Sequence, residues 1–161
     1  MKIAIKRILV PIDFTEGSDA AVSYAAALVE ELGASLHILH VLEELAPADA
    51  TLPFPARRNV EREVEGSAWR DLGLVLSPKD QMRLRTVLAL EWGTPFVEII
   101  RYAKTHSIDL IVLGSHQQGS VREMLLGEVV THVVHGAPCP VLTVRAPERH
   151  AAAMEAGARG T

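Results

Sequence analysis

Five short runs of apolar, often β-branched residues recur along the chain, and longer segments with helical periodicity separate them. A continuous apolar run of this kind is typical of a strand that is buried on both faces of a parallel sheet. The pattern therefore predicts five strands, at Arg7–Asp13, Ser35–Val41, Arg83–Leu90, Asp109–Leu113 and Pro140–Val144.

The first and third connections carry clear start and stop signals for helices. Ser18 is a predicted N-cap, and Gly33 stands where a left-handed C-cap belongs, after apolar residues spaced three and four apart. Thr94 and Pro95 supply a second N-cap and a proline at the first helical position. We expect one helix to end at Gly33 and another to begin after Thr94.

The last helix is predicted from a capping box. Ser120 is followed three residues later by Glu123, so the helix is expected to begin there. Apolar residues at helical spacing continue the pattern, with an expected break at Gly127 and an end near Gly136.

The second connection is the longest and the least regular. Residues 43–56 contain three prolines and no periodicity, which predicts a long loop. Arg57 to Leu76 has the mixed charges of a solvated helix, weakened near Gly66. Residues 147–161 lack a core-facing pattern and are expected to form a loose tail after a single domain over residues 1–146.

The alternation of strands and helices predicts an α/β protein of the Rossmann-like type. Right-handed crossovers between parallel strands place helices on both faces of an open sheet. In such sheets, ligands bind beyond the carboxyl ends of the strands, where the strand order reverses.

Composition excludes several classes of partner. The net charge is −4 and aromatic residues make up 4% of the chain, which disfavours nucleic acid. No apolar run approaches the length of about 20 residues that spans a bilayer.

The amino-terminal MKIAIKRILVPIDF is interpreted as a strand, because its apolar part is too short for a signal peptide. The single Cys139 fits a reducing, cytoplasmic compartment.

The most informative strand end is the loop after the fourth strand. It runs Gly114-Ser115-His116-Gln117-Gln118-Gly119-Ser120 and opens into a helix. Glycines allow a backbone to approach a ligand closely, and free N–H groups at a helix start attract anions. The same glycines fit a simple turn between strand and helix equally well, so spacing alone leaves both interpretations open.

Three stretches of the sequence resemble the universal stress protein family. They are ILVPIDFTEGSDAAVSYAAALVEELGASLHILHV, WGTPFVEIIRYAKTHSIDLIVLGSH and LLGEVVTHVVHGAPCPVLTV, in the family's order and spacing over residues 5–146. The resemblance implies an open parallel five-stranded sheet in the order 3-2-1-4-5. It also implies a homodimer joined through the last strand, with Pro140, Val141, Leu142, Thr143 and Val144 at the interface. Such a contact would cover an edge strand.

Part of this family binds ATP through a glycine pattern, G-x2-G-x9-G followed by Ser or Thr, and this chain matches it only in part. Gly114 and Gly127 match, whereas Gln117 and Glu128 replace a glycine and a hydroxyl residue. A carboxylate about 4 Å from a phosphate charge costs on the order of 1–4 kcal/mol. The resemblance thus implies a nucleotide crevice with a damaged phosphate end.

The candidate nucleotide contacts come from three strand ends and the last helix. Pro11, Asp13 and Val41 resemble the family's adenine and ribose contacts, and the remaining candidates lie around the glycine pattern. The full set of candidates is Pro11, Ile12, Asp13, Val41, Gly114, Ser115, His116, Gln117, Gly119, Ser120, Gly127, Glu128 and Val129.

The sequence gives weaker indications of catalysis or of metal binding. Asp13 could be a catalytic acid or a magnesium ligand, but a residue that fixes the following turn is favoured, because no second carboxylate is evident beside it. His132 and His135 could share a metal, yet exposed helix histidines are favoured without a third ligand. His37 and His40 are expected on opposite faces of a strand. No catalytic residue and no metal site are predicted.

The sequence therefore predicts a dimeric cytoplasmic stress-response module with weak or no ATP binding that acts through an unknown protein partner. The alternative is an adenine-nucleotide switch or slow ATPase that uses Asp13 and the Gly114–Ser120 loop. Its ligand would be ATP or AMP, with Mg²⁺ for a triphosphate.

Overall fold

The computed structural model describes residues 3–44, 51–115 and 127–146. Within them the chain forms a parallel five-stranded sheet in the order β3-β2-β1-β4-β5. This order and the helices around the sheet confirm the predicted α/β architecture. The strands are β1 (Arg7–Ile12), β2 (Ser35–Leu42), β3 (Val87–Trp92), β4 (Leu110–Ser115) and β5 (Val141–Arg145).

The described helices are α1 (Glu16–Leu32), α2 (Phe54–Leu74), α3 (Pro78–Arg83), α4 (Pro95–Thr105) and α5 (Glu128–Gly136). None of them is long and apolar enough to cross a membrane. Two structural predictions lie outside the described residues: the capping box of Ser120 and Glu123, and the tail over residues 147–161.

Helix α1 begins earlier than the sequence indicated. Thr15, not Ser18, is the N-cap, and Ser18 completes a capping box by accepting a hydrogen bond from the Thr15 amide at 3.1 Å. The prediction of Ser18 as N-cap was wrong because a serine three residues into a helix can bond back to the cap residue. The C-cap prediction is confirmed, since Gly33 has a φ of 65° in the left-handed region.

The second connection differs most from its prediction. Residues 45–50 of the loop predicted over residues 43–56 lie outside the described residues, and its last three residues belong to α2, which begins at Phe54 with Pro55 in its first turn. The helix runs through Gly66 without a break. A further short helix, α3, begins after Ser77, whose side chain accepts from the Asp80 amide. Strand β3 consequently begins at Val87 rather than Arg83.

The remaining boundaries are close to those predicted. Thr94 is the N-cap of α4 with Pro95 at its first position, and α5 ends at Gly136, as expected. The N-cap of α5 is Gly127, where the sequence predicted a break in a helix that began at Ser120. Strands β4 and β5 extend to Ser115 and Arg145, one or two residues beyond their predicted ends.

The core lies in two layers, one on each face of the sheet. Alternate residues of β1 point to opposite faces, so Ile8 and Val10 pack with α1 while Leu9 packs with α4 and α5. Leu72 of α2 completes the first layer and Val133 of α5 the second, both without solvent exposure. This arrangement fixes the carboxyl ends of β1, β2 and β4 relative to one another.

Candidate functional site

A cleft of about 410 Å³ lies at the carboxyl ends of β1, β2 and β4 and reaches the start of α5. Its volume falls within the range of about 300–1,000 Å³ that is usual for small-molecule sites. The described lining is Pro11, Ile12, Asp13, Ser18, Leu39, His40, Val41, Glu43, Pro95, Ile99, Leu113, Gly114, Gly127, Glu128, Val129 and Val130. The cleft therefore lies where strand order reverses in the sheet.

The structure brings together most of the predicted contacts that it describes. Those in the lining are Pro11, Ile12, Asp13, Val41, Gly114, Gly127, Glu128 and Val129. Ser115 is not among them, since its hydroxyl donates to the Val144 carbonyl of β5 at 3.3 Å. Four others lie outside the described residues: His116, Gln117, Gly119 and Ser120.

Sequence reasoning missed several lining residues. Leu39 and Ile99 form an apolar part of the lining, each at most 2% exposed. His40 and Glu43 add polar groups from the end of β2. The place of His40 at the cleft follows from the parallel register, which pairs Ile12 with His40. This register is set by tertiary pairing, so a single sequence does not show it.

Asp13 holds the turn between β1 and α1. Its carboxylate accepts hydrogen bonds from the Thr15 amide at 3.2 Å and from the Thr15 hydroxyl. Phe14, which lies between Asp13 and Thr15, has a φ of 60°, a strained conformation for a residue with a side chain. The favoured prediction, that Asp13 fixes the following turn, agrees with these contacts.

Gly114 is required by packing within the protein. A Cβ at this position would lie 2.8 Å from the Ser18 amide nitrogen and closer still to the Gly17 carbonyl. The end of β4 therefore touches the first turn of α1, and only glycine fits there. The sequence left open whether this glycine serves a ligand or only the turn. Close packing against α1 explains it without a ligand.

The start of α5 combines opposing electrostatic effects. Gly127 is the N-cap of α5, and no side chain there bonds the first amides of the helix. The start of a helix carries a partial positive charge of about half an elementary charge. Glu128, the first residue of the helix, is exposed and lines the cleft. Its full negative charge lies where the family pattern has a hydroxyl.

His40 is anchored at the cleft by the strand beside it. Its Nδ1 lies 2.9 Å from the Ile12 carbonyl oxygen, and its ring centre lies 4.6 Å from that of Phe14. A carbonyl only accepts, so Nδ1 carries a proton and donates it to this carbonyl.

His37 lies outside this cleft, on the face of β2 opposite to His40, as the sequence predicted. It is buried, and its Nδ1 lies 2.9 Å from the Tyr102 hydroxyl oxygen. Burial lowers the pKa of His37, helped by His106 and Arg7. Burial raises the pKa of Tyr102, helped by Glu91.

The other reactive side chains show no built site. His132 and His135 are exposed, and each lies with Nδ1 2.8 Å from the carbonyl one turn earlier. Within residues 3–44, 51–115 and 127–146, no three His, Cys, Asp or Glu side chains are grouped so that they could hold a metal. Burial, followed by the effect of Asp109, raises the pKa of Cys139, which disfavours the reactive thiolate.

The fold and this cleft agree with a match at the level of sequence. The profile of the universal stress protein family matches residues 4–145. The chain belongs to this family. Universal stress protein MJ0531 of Methanocaldococcus jannaschii is 30% identical over 156 residues, which cover 89% of this chain and 84% of the relative. Universal stress protein YxiE of Bacillus subtilis is 30% identical over 145 residues, or 86% and 98% of the two chains.

Solved structures of universal stress proteins share the fold. UspA from Lactobacillus plantarum has a TM-score of 0.65 at 29% identity and covers 89% of this chain and 100% of its own. An Arabidopsis thaliana family member with AMP bound has a TM-score of 0.58 at 17% identity, covering 87% and 91%. A universal stress protein in complex with cAMP has a TM-score of 0.57 at 20% identity, covering 89% and 98%. At these lower identities the likeness concerns the fold.

Proposed function

We infer that this universal stress protein is a dimeric cytoplasmic regulatory module whose cleft receives the adenosine part of a nucleotide but binds ATP weakly or not at all. The observation that carries this proposal is the carboxylate of Glu128 at the first position of α5, in the lining of the cleft. The module would act through a protein partner, and it would not be an enzyme.

The apolar part of the cleft lining suits a base. Leu39 and Ile99 are buried side chains of the core, and Pro11 and Val41 extend this apolar lining to the strand ends. Fixed apolar walls are what most small-molecule sites use for aromatic groups, with a few polar groups for orientation. The AMP and cAMP bound by the two fold neighbours are consistent with an adenine ligand.

The start of α5, with Glu128, opposes a triphosphate. A carboxylate about 4 Å from one phosphate charge costs on the order of 1–4 kcal/mol, or about 5- to 700-fold in affinity. The helix dipole of α5 offsets only part of this cost, because it amounts to about half a charge. The balance favours ligands with fewer phosphates over ATP.

The described lining also offers little for turnover. Ser18 is its one hydroxyl side chain, and that hydroxyl donates to the Thr15 carbonyl at 2.9 Å. A nucleophilic hydroxyl needs a base within hydrogen-bond reach, whereas this one is occupied in capping α1. A regulatory role is therefore favoured over an enzymatic one.

One alternative function has a specific observation in its favour. The cleft is large enough for a whole nucleotide, and Asp13 lies in its lining. An ATP- or AMP-dependent switch or slow ATPase would use Asp13 with the Gly114–Ser120 loop, and Mg²⁺ would accompany a triphosphate.

Calorimetric titration with ATP and AMP, with and without Mg²⁺, separates the two functions. The proposal predicts an ATP dissociation constant far above the micromolar range, with or without the metal. Micromolar ATP binding would overturn it and support the switch, whereas the absence of any ATP or AMP binding at millimolar concentration would eliminate the switch.

The dimer is proposed to form through β5, an edge strand that pairs with β4 alone among the described strands. Thr143 is exposed on this strand, so Thr143→Arg would introduce charge at the contact without disturbing the core. Sedimentation should report a dimer for the original chain and a monomer for the variant. An unchanged dimer would place the contact elsewhere.

A further inference from the structure

We propose that the cleft selects adenine nucleosides whose 5′ group is neutral or cationic and discriminates against each added phosphate. This inference rests on the proposed adenine site and deepens it, because it identifies the preferred charge of the ligand. Three carboxylates from three different elements carry the inference: Asp13 after β1, Glu43 after β2 and Glu128 at the start of α5.

The charge balance of the described lining is one-sided. It contains these three carboxylates and neither lysine nor arginine. All three acidic residues are exposed, so their charges act on a ligand through water rather than through a dry interior. The partial positive charge at the start of α5, about half a unit, offsets only a fraction of three full negative charges.

The hydrogen-bonding side chains of the lining are also one-sided, because they offer acceptors rather than donors. Carboxylate oxygens only accept, and the Nδ1 hydrogen of His40 is already donated to the Ile12 carbonyl. The Ser18 hydroxyl already donates to the Thr15 carbonyl. The side chains described in the cleft thus present acceptors, and the complementary ligand is rich in donors.

A nucleoside supplies those donors, whereas a phosphate does not. The ribose hydroxyls and the exocyclic amine of adenine donate, and an ammonium group at the 5′ position would add three donors with a positive charge. Ionised phosphate oxygens accept and carry negative charge. In water, one pair of like charges about 4 Å apart weakens binding about fivefold. Affinity should therefore fall stepwise as the 5′ group becomes more negative.

The test is a titration of the full-length protein with four adenine compounds at 50 mM and 300 mM salt. The compounds are 5′-amino-5′-deoxyadenosine, adenosine, AMP and ATP. We expect the tightest binding for the amine and the weakest for ATP, with about a fivefold loss for each added negative charge at low salt. The differences should shrink at high salt, because ions screen exposed charges.

A pair of neighbouring variants ties this order to the cleft. Glu43 lines the cleft and Glu44 does not, although both are exposed and adjacent in sequence. Glu43→Gln should strengthen ATP binding about fivefold and weaken amine binding about fivefold, with adenosine unchanged within twofold. Glu44→Gln should leave all four affinities within twofold.

The outcomes separate this inference from the function on which it rests. If all four compounds bind with similar affinity, the charge preference is wrong while an adenine site remains. If affinity rises with phosphate number, the charge preference and the proposed weak ATP binding are both wrong, although the adenine site remains. If none of the four binds, the adenine site itself is wrong and the inference fails with it. Equal effects of Glu43→Gln and Glu44→Gln would also overturn the assignment to this cleft.

Discussion

The apolar and the acidic residues of the cleft lining are built into the fold in different ways. Leu39 and Ile99 are at most 2% exposed and belong to the core layer between the sheet and the helices α4 and α5. Asp13, Glu43 and Glu128 are exposed residues at element ends. The apolar lining is thus fixed by folding, whereas Glu43 and Glu128 can change charge with little effect on stability.

This difference suggests how one fold can serve different ligands. Burial of core side chains contributes much of the stability, so substitutions there are costly. Exposed charges contribute little to stability but act directly on a bound ligand. Ligand charge preference can therefore vary at positions such as 43 and 128 while the apolar lining stays intact.

The largest effect is expected at Gly114, where the cleft wall touches the first turn of α1. A Cβ there would collide with backbone atoms of Gly17 and Ser18, which cannot move aside like a flexible side chain. Gly114→Ala should lower the free energy of unfolding by more than about 3 kcal/mol, at the upper end for overpacking. Urea denaturation provides the measurement.

Gly127, the N-cap of α5, is the matched control for Gly114. A Cβ at Gly127 would meet no atom within 4 Å, so Gly127→Ala should cost about 1 kcal/mol or less, a weaker N-cap being the only loss. Similar costs for the two variants would show that packing does not distinguish these glycines.

The next largest effect is expected at Leu39. Leu39→Ala removes a fully buried side chain and should cost about 3 kcal/mol, within the usual range for such a cavity. It should also weaken adenosine binding, because Leu39 belongs to the apolar part of the cleft lining. Thermal unfolding and calorimetry check the two effects, and unchanged adenosine affinity would place the base elsewhere.

A smaller effect is expected from restoring the glycine pattern at the phosphate end. Glu128→Ser combined with Gln117→Gly should tighten ATP binding about tenfold, equal to about 1.4 kcal/mol, with little change in stability. Calorimetry on the variant and the original chain measures the ratio. An unchanged ATP affinity would show that these two residues do not limit phosphate binding.

The smallest effect concerns His37, on the opposite face of β2 from His40. Burial lowers the pKa of His37 in the folded protein, so the unfolded chain takes up the proton first as pH falls. Its contribution to stability is therefore present above the unfolded pKa of about 6.5 and is lost as pH falls towards the folded pKa.

The check is chemical denaturation at pH 7.5, 6.5 and 5.5. His37→Gln should lose less stability than the original chain over this range, while the exposed His135→Gln should follow the original chain. A parallel pH dependence in all three proteins would exclude His37 as its source.

The sequence predicted the fold better than the site. Apolar runs indicated all five strands, and the family resemblance supplied their order, which the structure confirms. Helix α3 was missed although Ser77, Pro78 and Asp80 form a recognisable helix start. The sequence predicts a helix that ends near Leu76 and a strand that begins at Arg83, and residues 77–82 between them carry no predicted element.

The limits at the site have a physical origin. Asp13 and Glu128 could be predicted because they lie in local motifs next to a strand end and a helix start. Glu43 and His40 could not, because their place in the cleft depends on how β2 pairs with β1. Gly114 was identified, but its contact with Gly17 joins residues far apart in sequence.

The most direct test of the central claim is the ratio of the ATP and AMP dissociation constants, measured by calorimetry on the full-length protein at 50 mM salt. An acidic phosphate end predicts that AMP binds more tightly than ATP and that the ratio approaches one as salt is raised. Tighter binding of ATP than of AMP, in the micromolar range, would contradict the account.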